Sequence, residues 1–328
     1  MLDDPVLDRI TYVAAPAASL APIPWPEGLA PSVPSHMPAR LPKADVLVLT
    51  WTAAEARALA DVLTPGLASS AWTRYTDEWT SYEHQLTERS PARFSKCLGL
   101  WAQVEIDGKR VALFKSDLHL ATDAVSLPVR QLWAQLVQAV EPKLVITTGT
   151  AGGIGASTQL GNVCVTNGAK FNCQQQFRAE PFAQQTFAGP AWTPGERLGA
   201  CAPLLAVNAG QLKPIATRDP QIAVVTGKPG VETIDFFGFA DATDSYKVAA
   251  NDPDAHTEEM DDATLPLALG DIHSTLPWLS IRNASDPQVA HMSTLKAEKA
   301  WAEQIYEKYG YWTTVGSAIA CWAVIADL

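Results

Sequence analysis

A buried-strand pattern that runs directly into a glycine-rich turn is the feature that most constrains the fold of this chain. Residues 144–155 read LVITTGTAGGIG, and LGNVCV follows at residues 160–165. The short apolar, β-branched run is typical of a buried strand, and the glycines allow backbone N–H groups to approach a ligand closely. In a parallel α/β sheet, ligands bind at the carboxyl ends of the strands. The segment therefore predicts a ligand-binding loop after a central strand.

The remaining patterns alternate between strands and helices, which predicts a largely parallel sheet. Asp107-Gly108 lies between two apolar runs and indicates a hairpin, so the sheet should be mixed. We predict an α/β fold, a three-layer α-β-α sandwich around a central, mostly parallel mixed sheet. The predicted strands cover 46–49, 98–106, 110–115, 144–149, 163–166, 222–226 and 278–281, and the predicted helices cover 53–62, 129–140, 296–309 and 315–325.

The first 42 residues differ in composition from the rest, because they contain nine prolines. Proline is excluded from helix interiors and central strands. We predict a Pro-rich arm at 1–42, which lies over the domain, reaches a neighbouring subunit or forms a leader. Residues 43–328 are predicted to form a single domain with insertions near 68–96 and 171–220.

Composition excludes several classes of protein. The net charge of -11 argues against a nucleic-acid partner, and no apolar run approaches the roughly 20 residues that cross a bilayer. The N-terminus lacks the pattern of a signal peptide, and five cysteines without a Cys-x-x-Cys pair indicate free thiols. We expect a cytoplasmic protein with no membrane partner. Signatures of dinucleotide, P-loop, zinc-protease and hydrolase-elbow sites are absent, so no metal and no cofactor are expected.

Carboxylates at predicted strand ends are the best candidates for chemistry. Glu55 follows the first strand, Glu259–Asp262 precedes an Ala/Leu-rich helix, and Ser285-Asp286 closes the 278–281 strand. Each also has an ordinary structural interpretation, either as an acid in the first turn of a helix or as a turn residue before proline. Their order along the chain and their positions at strand ends favour a site.

Five short motifs carry a resemblance to a known family. Residues 148–153 (TGTAGG) resemble N-T-G-S-A-G-G, 160–163 (LGNV) resemble V-G-D-I/V, 115–119 (KSDLH) resemble K-S-G-I-G, 259–261 (EMD) resemble V-E-M-E, and 282–286 (RNASD) resemble R-A-I-S-D. Over residues 44–328 the chain resembles the purine nucleoside phosphorylase/uridine phosphorylase superfamily, and most closely its 5'-methylthioadenosine/S-adenosylhomocysteine nucleosidase branch.

The resemblance implies that the protein cleaves the N-glycosidic bond of a purine nucleoside. Asp286 would protonate N7 of the base, Ser285 would orient Asp286, and Glu55 would activate the attacking water. A second set of residues, the ribose group, would hold the ribose. A third set, the lining group, would line the pocket for the base and the attacking water. The ribose group is Glu259, Met260 and Asp261, and the lining group is Thr150, Ala151, Gly152 and Ser285. We also expect a small nucleoside as the substrate and a homodimer or higher homo-oligomer.

Several departures from the motifs keep alternatives open. Asp261 replaces a longer glutamate, and Asp117 and His119 replace glycines, so a changed substrate or a non-catalytic nucleoside binder is possible. The phosphorylase element G-D-P-x-R is missing, and Glu55 stands there instead. A carboxylate repels phosphate, which favours hydrolysis, while Arg57 and Lys115 leave phosphorolysis open.

Overall fold

The computed structural model describes residues 19–155, 157–235, 252–287 and 295–328. Within them, twelve strands form one sheet. The strands are β1 (Val46–Thr50), β2 (Thr73–Tyr75), β3 (Gly99–Ile106), β4 (Lys109–Ser116), β5 (Leu144–Gly153), β6 (Val163–Thr166), β7 (Gly168–Asn172), β8 (Thr186–Ala188), β9 (Ile222–Val225), β10 (Val231–Ile234), β11 (Thr257–Glu259) and β12 (Trp278–Pro287). The α-helices are α1 (Ala53–Leu63), α2 (Trp79–Glu83), α3 (Pro91–Ser95), α4 (Pro128–Val140), α5 (Glu196–Ala200), α6 (Ala202–Ala206), α7 (Thr264–Asp271) and α8 (Leu295–Ala326).

The centre of the sheet is parallel and its flanks are mixed. Strands run in the order β2-β3-β4-β1-β5-β11-β10-β7-β8, and β12 joins β5 to β6 and through it to β9. Pairs β4-β1, β1-β5 and β5-β12 are parallel, whereas β3-β4, β11-β5 and β12-β6 are antiparallel. This confirms the predicted α/β class with a mixed central sheet.

Helices cover both faces of the sheet, and β1 shows how the sequence specifies them. Val46 and Val48 belong to an apolar core with α1 and α8, whereas Leu47 and Leu49 belong to a second core with α4 and α7. Successive side chains of a strand point to opposite faces, so an uninterrupted apolar run marks a strand that is buried on both sides. The result is the three-layer arrangement, with the parallel strands directing their carboxyl ends to one edge.

The chain ends in one helix rather than the two predicted ones. Helix α8 continues from Leu295 to Ala326 through Gly310. A helical glycine costs about 1 kcal/mol relative to alanine, but a side chain at Gly310 would press against the ring of Tyr306. Close packing therefore favours glycine here, and burial of α8 against α1 and the sheet keeps the helix continuous.

Strand β12 is also longer than predicted, because it pairs with β5 over its whole length. A bulge between Ala284 and Asp286 shifts the register there and places Asp286 level with Gly152. The hairpin prediction is confirmed, since Asp107 and Gly108 both have positive φ, at 50° and 71°, between β3 and β4. Five short strands, β2, β7, β8, β10 and β11, were not predicted.

Residues 19–42 of the Pro-rich segment lie over the domain. The Trp25 ring packs 4.6 Å from that of Trp322 in α8, and Trp322 Nε1 donates a hydrogen bond to the Leu29 carbonyl at 2.7 Å. Ser32 pairs with Glu105 of β3 through two backbone hydrogen bonds. Residues 1–18 lie outside the described part of the chain.

The two predicted insertions contain short elements: 68–96 holds β2, α2 and α3, and 171–220 holds β8, α5 and α6. All five cysteines are buried free thiols. Among the described residues, no helix is both long and apolar enough to cross a bilayer.

Candidate active site

The predicted site residues converge where the central parallel strands end. Glu55 follows β1, the glycine-rich segment ends β5, and Ser285-Asp286 ends β12. The register of β5 and β12 pairs Arg282 with Gly149 and, after the bulge, Asp286 with Gly152. β11 meets β5 at the same place, with Glu258 opposite Gly152. The glycine-rich end of β5 is therefore the centre of the arrangement.

Glu55 is buried and accepts hydrogen bonds on both carboxylate oxygens. It forms a capping box with Thr52, whose side chain accepts from the Glu55 N–H at 3.2 Å. Glu55 Oε2 accepts from Thr50 Oγ1 and from the backbone N–H groups of Trp51 and Thr52, at 2.8–3.0 Å. Glu55 Oε1 accepts from both the N–H and the hydroxyl of Thr150 at 2.7 Å. One carboxylate thus joins the start of α1 to the glycine-rich segment.

Gly149 is the position at which this junction needs glycine. Its φ is +148°, and a Cβ there would lie 2.3 Å from Glu55 Oε1. We expect Gly149→Ala to displace the Glu55 carboxylate and to lower the free energy of unfolding by about 1–3 kcal/mol, because it adds backbone strain to the clash. Chemical denaturation would measure the loss. Gly108→Ala is the matched control, since Gly108 also has positive φ but has open space around it; equal losses in the two variants would contradict the role of the Glu55 contact.

Ser285 and Asp286 form a buried pair at the end of β12. The Ser285 hydroxyl donates to Asp286 Oδ1 at 2.5 Å and lies 3.3 Å from the Ala151 carbonyl oxygen. The relative exposures of Ser285 and Asp286 are 1% and 5%. Because a hydroxyl has one proton and the shorter contact takes it, Oδ1 is the accepting oxygen of Asp286, and a proton on a neutral Asp286 belongs on Oδ2.

Arg282 links the site to two acids that precede α7. Its guanidinium contacts Glu259 Oε2 at 3.1 Å and binds Asp262 through two nitrogens at 2.5 and 2.9 Å. It also donates to the Thr150 carbonyl oxygen at 3.2 Å and stacks 4.5 Å above the Trp51 ring. Burial alone would lower the pKa of Arg282, but Asp262 and Glu259 raise it, so this cation stays charged.

Glu259 and Asp261, both predicted to bind ribose, are held by other parts of the chain. Glu259 accepts from Thr233 Oγ1 at 2.5 Å, from the N–H groups of Asp261 and Asp262, and from Arg282. Asp261 Oδ1 accepts from the Leu120 N–H at 2.9 Å, and its Oδ2 lies 3.0 Å from Nε2 of His119. Met260, between the two acids, is half-buried.

The sequence-level candidates omitted Arg282 and Asp262, although they are central to this cluster. Arg282 had a weak signal, as a cation directly after the predicted 278–281 strand and inside the R-A-I-S-D-like motif. Asp262 had only its place in a run of acids before a helix. Neither signal identifies the partner, because Arg282 and Asp262 lie 20 residues apart.

No family model and no curated protein matches the sequence. The structure is similar to the 5'-methylthioadenosine/S-adenosylhomocysteine nucleosidase of Neisseria meningitidis in complex with methylthio-immucillin-A, with a TM-score of 0.51 and 15% identity over 88% of this chain and 100% of that one. The chain has the nucleoside phosphorylase-like fold.

Two further solved structures share the nucleoside phosphorylase-like fold. One is the S-adenosylhomocysteine nucleosidase of Streptococcus pyogenes in complex with 5-methylthiotubericidin, with a TM-score of 0.51 and 14% identity over 87% of this chain and 98% of that one. The other is a futalosine hydrolase mutant of Helicobacter pylori, with a TM-score of 0.50 and 11% identity over 86% and 99%. At such identities the likeness shows the fold.

Lys115, near the end of β4, and Asp117, just after it, form a buried ion pair. The Ser95 hydroxyl donates to the other oxygen of Asp117 at 2.6 Å. Asp117, which stands where the resembling motif has glycine, is therefore neutralised locally by Lys115.

Proposed function

We propose that this protein hydrolyses the N-glycosidic bond of a purine nucleoside, with adenine as the base and an unmodified or 5'-modified ribose. The observation that carries the proposal is the placement of two acid–hydroxyl pairs at neighbouring positions along the glycine-rich end of β5. The Ser285-Asp286 pair lies beside Gly152. Glu55 binds the hydroxyl of Thr150, which lies two residues before Gly152 on β5. The nucleosidases that share the fold support the same reading.

Asp286 would supply the proton that makes the base a neutral leaving group. The C1'–N9 bond breaks, its electron pair goes to the purine, and the proton on Asp286 Oδ2 moves to N7. Ser285 would hold the carboxyl group in this orientation through Oδ1. A positioned general acid of this kind contributes about 10²–10⁴-fold to a rate.

Glu55 and Thr150 would hold the attacking water. The Thr150 hydroxyl donates its one proton to Glu55 Oε1, so its lone pairs remain to accept a proton from water. The water oxygen bonds to C1', its proton passes to Thr150, and the Thr150 proton passes to Glu55. Thr150 is half-buried whereas Glu55 is 1% exposed, which supports a relay over direct contact of the water with Glu55.

The sugar would lie beside Met260 and Asp261. Met260 offers an apolar, half-buried surface for the sugar ring. Glu259 would position Arg282 and the backbone of Asp261 and would not bind the sugar itself. Its carboxylate already accepts hydrogen bonds from the Asp261 N–H and from Arg282. Ala151 and Gly152 would line the base next to Asp286.

The cations that could bind phosphate have other partners, which supports water as the nucleophile. Arg57 lies 4.0 Å from Asp61 and stacks over Tyr311. Lys115 pairs with Asp117, and Arg282 is neutralised by Glu259 and Asp262. A phosphate dianion would therefore be repelled by the Glu55 carboxylate, and each of these three cations already pairs with a carboxylate of the chain.

We expect the protein to release free base at the same rate with and without phosphate. Adenosine, 5'-methylthioadenosine, S-adenosylhomocysteine, inosine and adenosine 5'-monophosphate would be incubated with it, and free base and free sugar measured by chromatography. Release that needs phosphate and yields ribose 1-phosphate would replace hydrolysis by phosphorolysis. Tight binding of a nucleoside without any release of base would identify a binding protein instead.

A further inference from the structure

One row of the sheet carries ionisable side chains on both sides of Gly152. Strand register places five residues side by side in the order Lys170 of β7, Glu232 of β10, Glu258 of β11, Gly152 of β5 and Asp286 of β12. Paired residues of neighbouring strands lie about 5 Å apart, and their side chains point to the same face. Glu258 and Asp286 therefore flank Gly152, which has no side chain of its own.

The Glu258 side chain covers Gly152. A Cβ on Gly152 would lie 3.1 Å from Glu258 Cγ and 3.3 Å from Glu258 Oε1, and its three nearest atoms all belong to Glu258. Glu258 is 4% exposed, whereas Gly152 is half-buried. The V-E-M-E motif that residues 259–261 resemble has valine at the position of Glu258, so the acid is particular to this chain.

We propose that Glu258 is a specificity-determining residue whose carboxylate selects nucleosides with a positively charged purine. The proposal rests on the proposed function, because that function places the base over Ala151 and Gly152. A purine is cationic when one of its ring nitrogens is protonated or alkylated. Its attraction to a carboxylate is strong where water is excluded, and the cation in turn favours the ionised form of the acid. A neutral purine of the same size gains no such attraction.

The cation of this row is held at its far end. Lys170 pairs with Asp252 and lies 3.8 Å from a carboxylate oxygen of Glu232. Glu232 also accepts from the Asn172 amide at 2.9 Å. Burial raises the pKa of Glu232 to about 8, so this acid is largely protonated at neutral pH. Lys170 is thus one strand removed from Glu258, and the negative charge next to the base belongs to Glu258.

Two isomeric nucleosides separate the effect of charge from that of size. At neutral pH 1-methyladenosine is a cation, whereas N6-methyladenosine carries its methyl group on the exocyclic nitrogen and is neutral. Binding would be measured by isothermal titration calorimetry in Asp286→Asn, called the parent protein, so that cleavage does not interfere. We expect the parent to bind 1-methyladenosine about tenfold more tightly, the scale of one hydrogen bond to a charged group.

Glu258→Gln in the parent keeps the shape of the side chain and removes its charge, so the preference should fall to about threefold or less. Glu258→Asp retains the charge on a shorter side chain and should keep part of the preference. Glu232→Gln is the matched control, because it makes the same replacement one strand farther from Gly152. Its preference should stay within about twofold of that of the parent. Thermal unfolding would verify that each variant is folded.

The same positive charge develops on adenosine when Asp286 protonates N7. With Asp286 intact, Glu258→Gln should therefore lower kcat for adenosine about tenfold, because a charge that appears only during the reaction loses its counter-charge. KM should change less than kcat, since bound adenosine is neutral. A loss confined to KM would contradict this role.

Equal affinities of the parent for the two isomers, or a preference that survives in Glu258→Gln, would overturn the proposal. So would a preference that Glu232→Gln abolishes equally, or an absence of binding of either isomer. Base release by the wild type is scored separately. Release of adenine without a preference for the cation would remove only the role of Glu258, whereas a preference without any release would remove only the hydrolysis.

Discussion

Replacing Asp286 with asparagine is expected to lower base release by about 10²-fold or more, which is the usual scale for losing a general acid. Asparagine has nearly the same shape and can still accept from the Ser285 hydroxyl, and its amide can hydrogen-bond to N7. It cannot transfer a proton to N7, so the base would leave as an anion. Nucleoside binding should persist, and steady-state release of adenine together with equilibrium binding would show this separation.

Asp271→Asn is the matched control, because Asp271 is an aspartate at the C-terminal end of α7 whose ion pair with Arg130 is partly exposed. Its turnover should stay within about twofold of the wild type. Full activity in Asp286→Asn would remove Asp286 from the mechanism, and equal losses in both variants would indicate a general effect on folding.

Arg282→Met should cause the largest loss of stability, about 3–5 kcal/mol in the free energy of unfolding. Methionine retains apolar volume above Trp51 but leaves the buried Glu259 and Asp262 carboxylates without their cation. Removing one partner of a buried ion pair is costly for this reason. Urea denaturation at neutral pH would measure the loss.

The same loss should shrink in acid, because protonation of Glu259 removes one of the two uncompensated charges. Burial already raises the pKa of Glu259 to about 8, and removing Arg282, which lowers it, would raise it further. A group whose pKa is higher in the folded protein than in the unfolded chain loses its stabilising contribution as the pH rises, so the stability of the variant should fall with increasing pH. Arg57→Met provides the comparison: its pair with Asp61 is half-exposed, and its loss should stay below about 1 kcal/mol. Similar losses in the two variants would refute a central role for the Arg282 cluster.

The elements that the sequence predicts well are those with strong local patterns. The strand at 144, the amphipathic helix that became Pro128–Val140 and the Asp107-Gly108 hairpin each depend on neighbouring residues. The short strands β10 and β11 are only four and three residues long. Their pairing partners lie far along the chain, so no local pattern could have indicated them.

In the candidate site, too, short motifs predict some features, whereas contacts between residues far apart in the sequence could not be predicted. Motif positions predicted which residues gather around Gly149–Gly152, but they did not predict their hydrogen-bond partners. Asp261 meets Leu120 from 141 residues away, and Glu55 meets Thr150 from 95 residues away. The ion pair between Arg282 and Asp262 likewise joins two segments that come together only in the folded sheet.

The docking of the arm on α8 has a consequence for the order of folding. The hydrogen bond between Trp322 and the Leu29 carbonyl joins residues 293 positions apart. Residues 19–29 leave the ribosome early, yet the surface on which they pack is not complete until α8 is made. Contacts of such long sequence separation form slowly, because the closure entropy of the intervening chain must be overcome first. A segment that is synthesised well before α8 is therefore among the last to reach its place, and during synthesis its apolar side chains, including Leu20, Ile23 and Trp25, remain available to other partners.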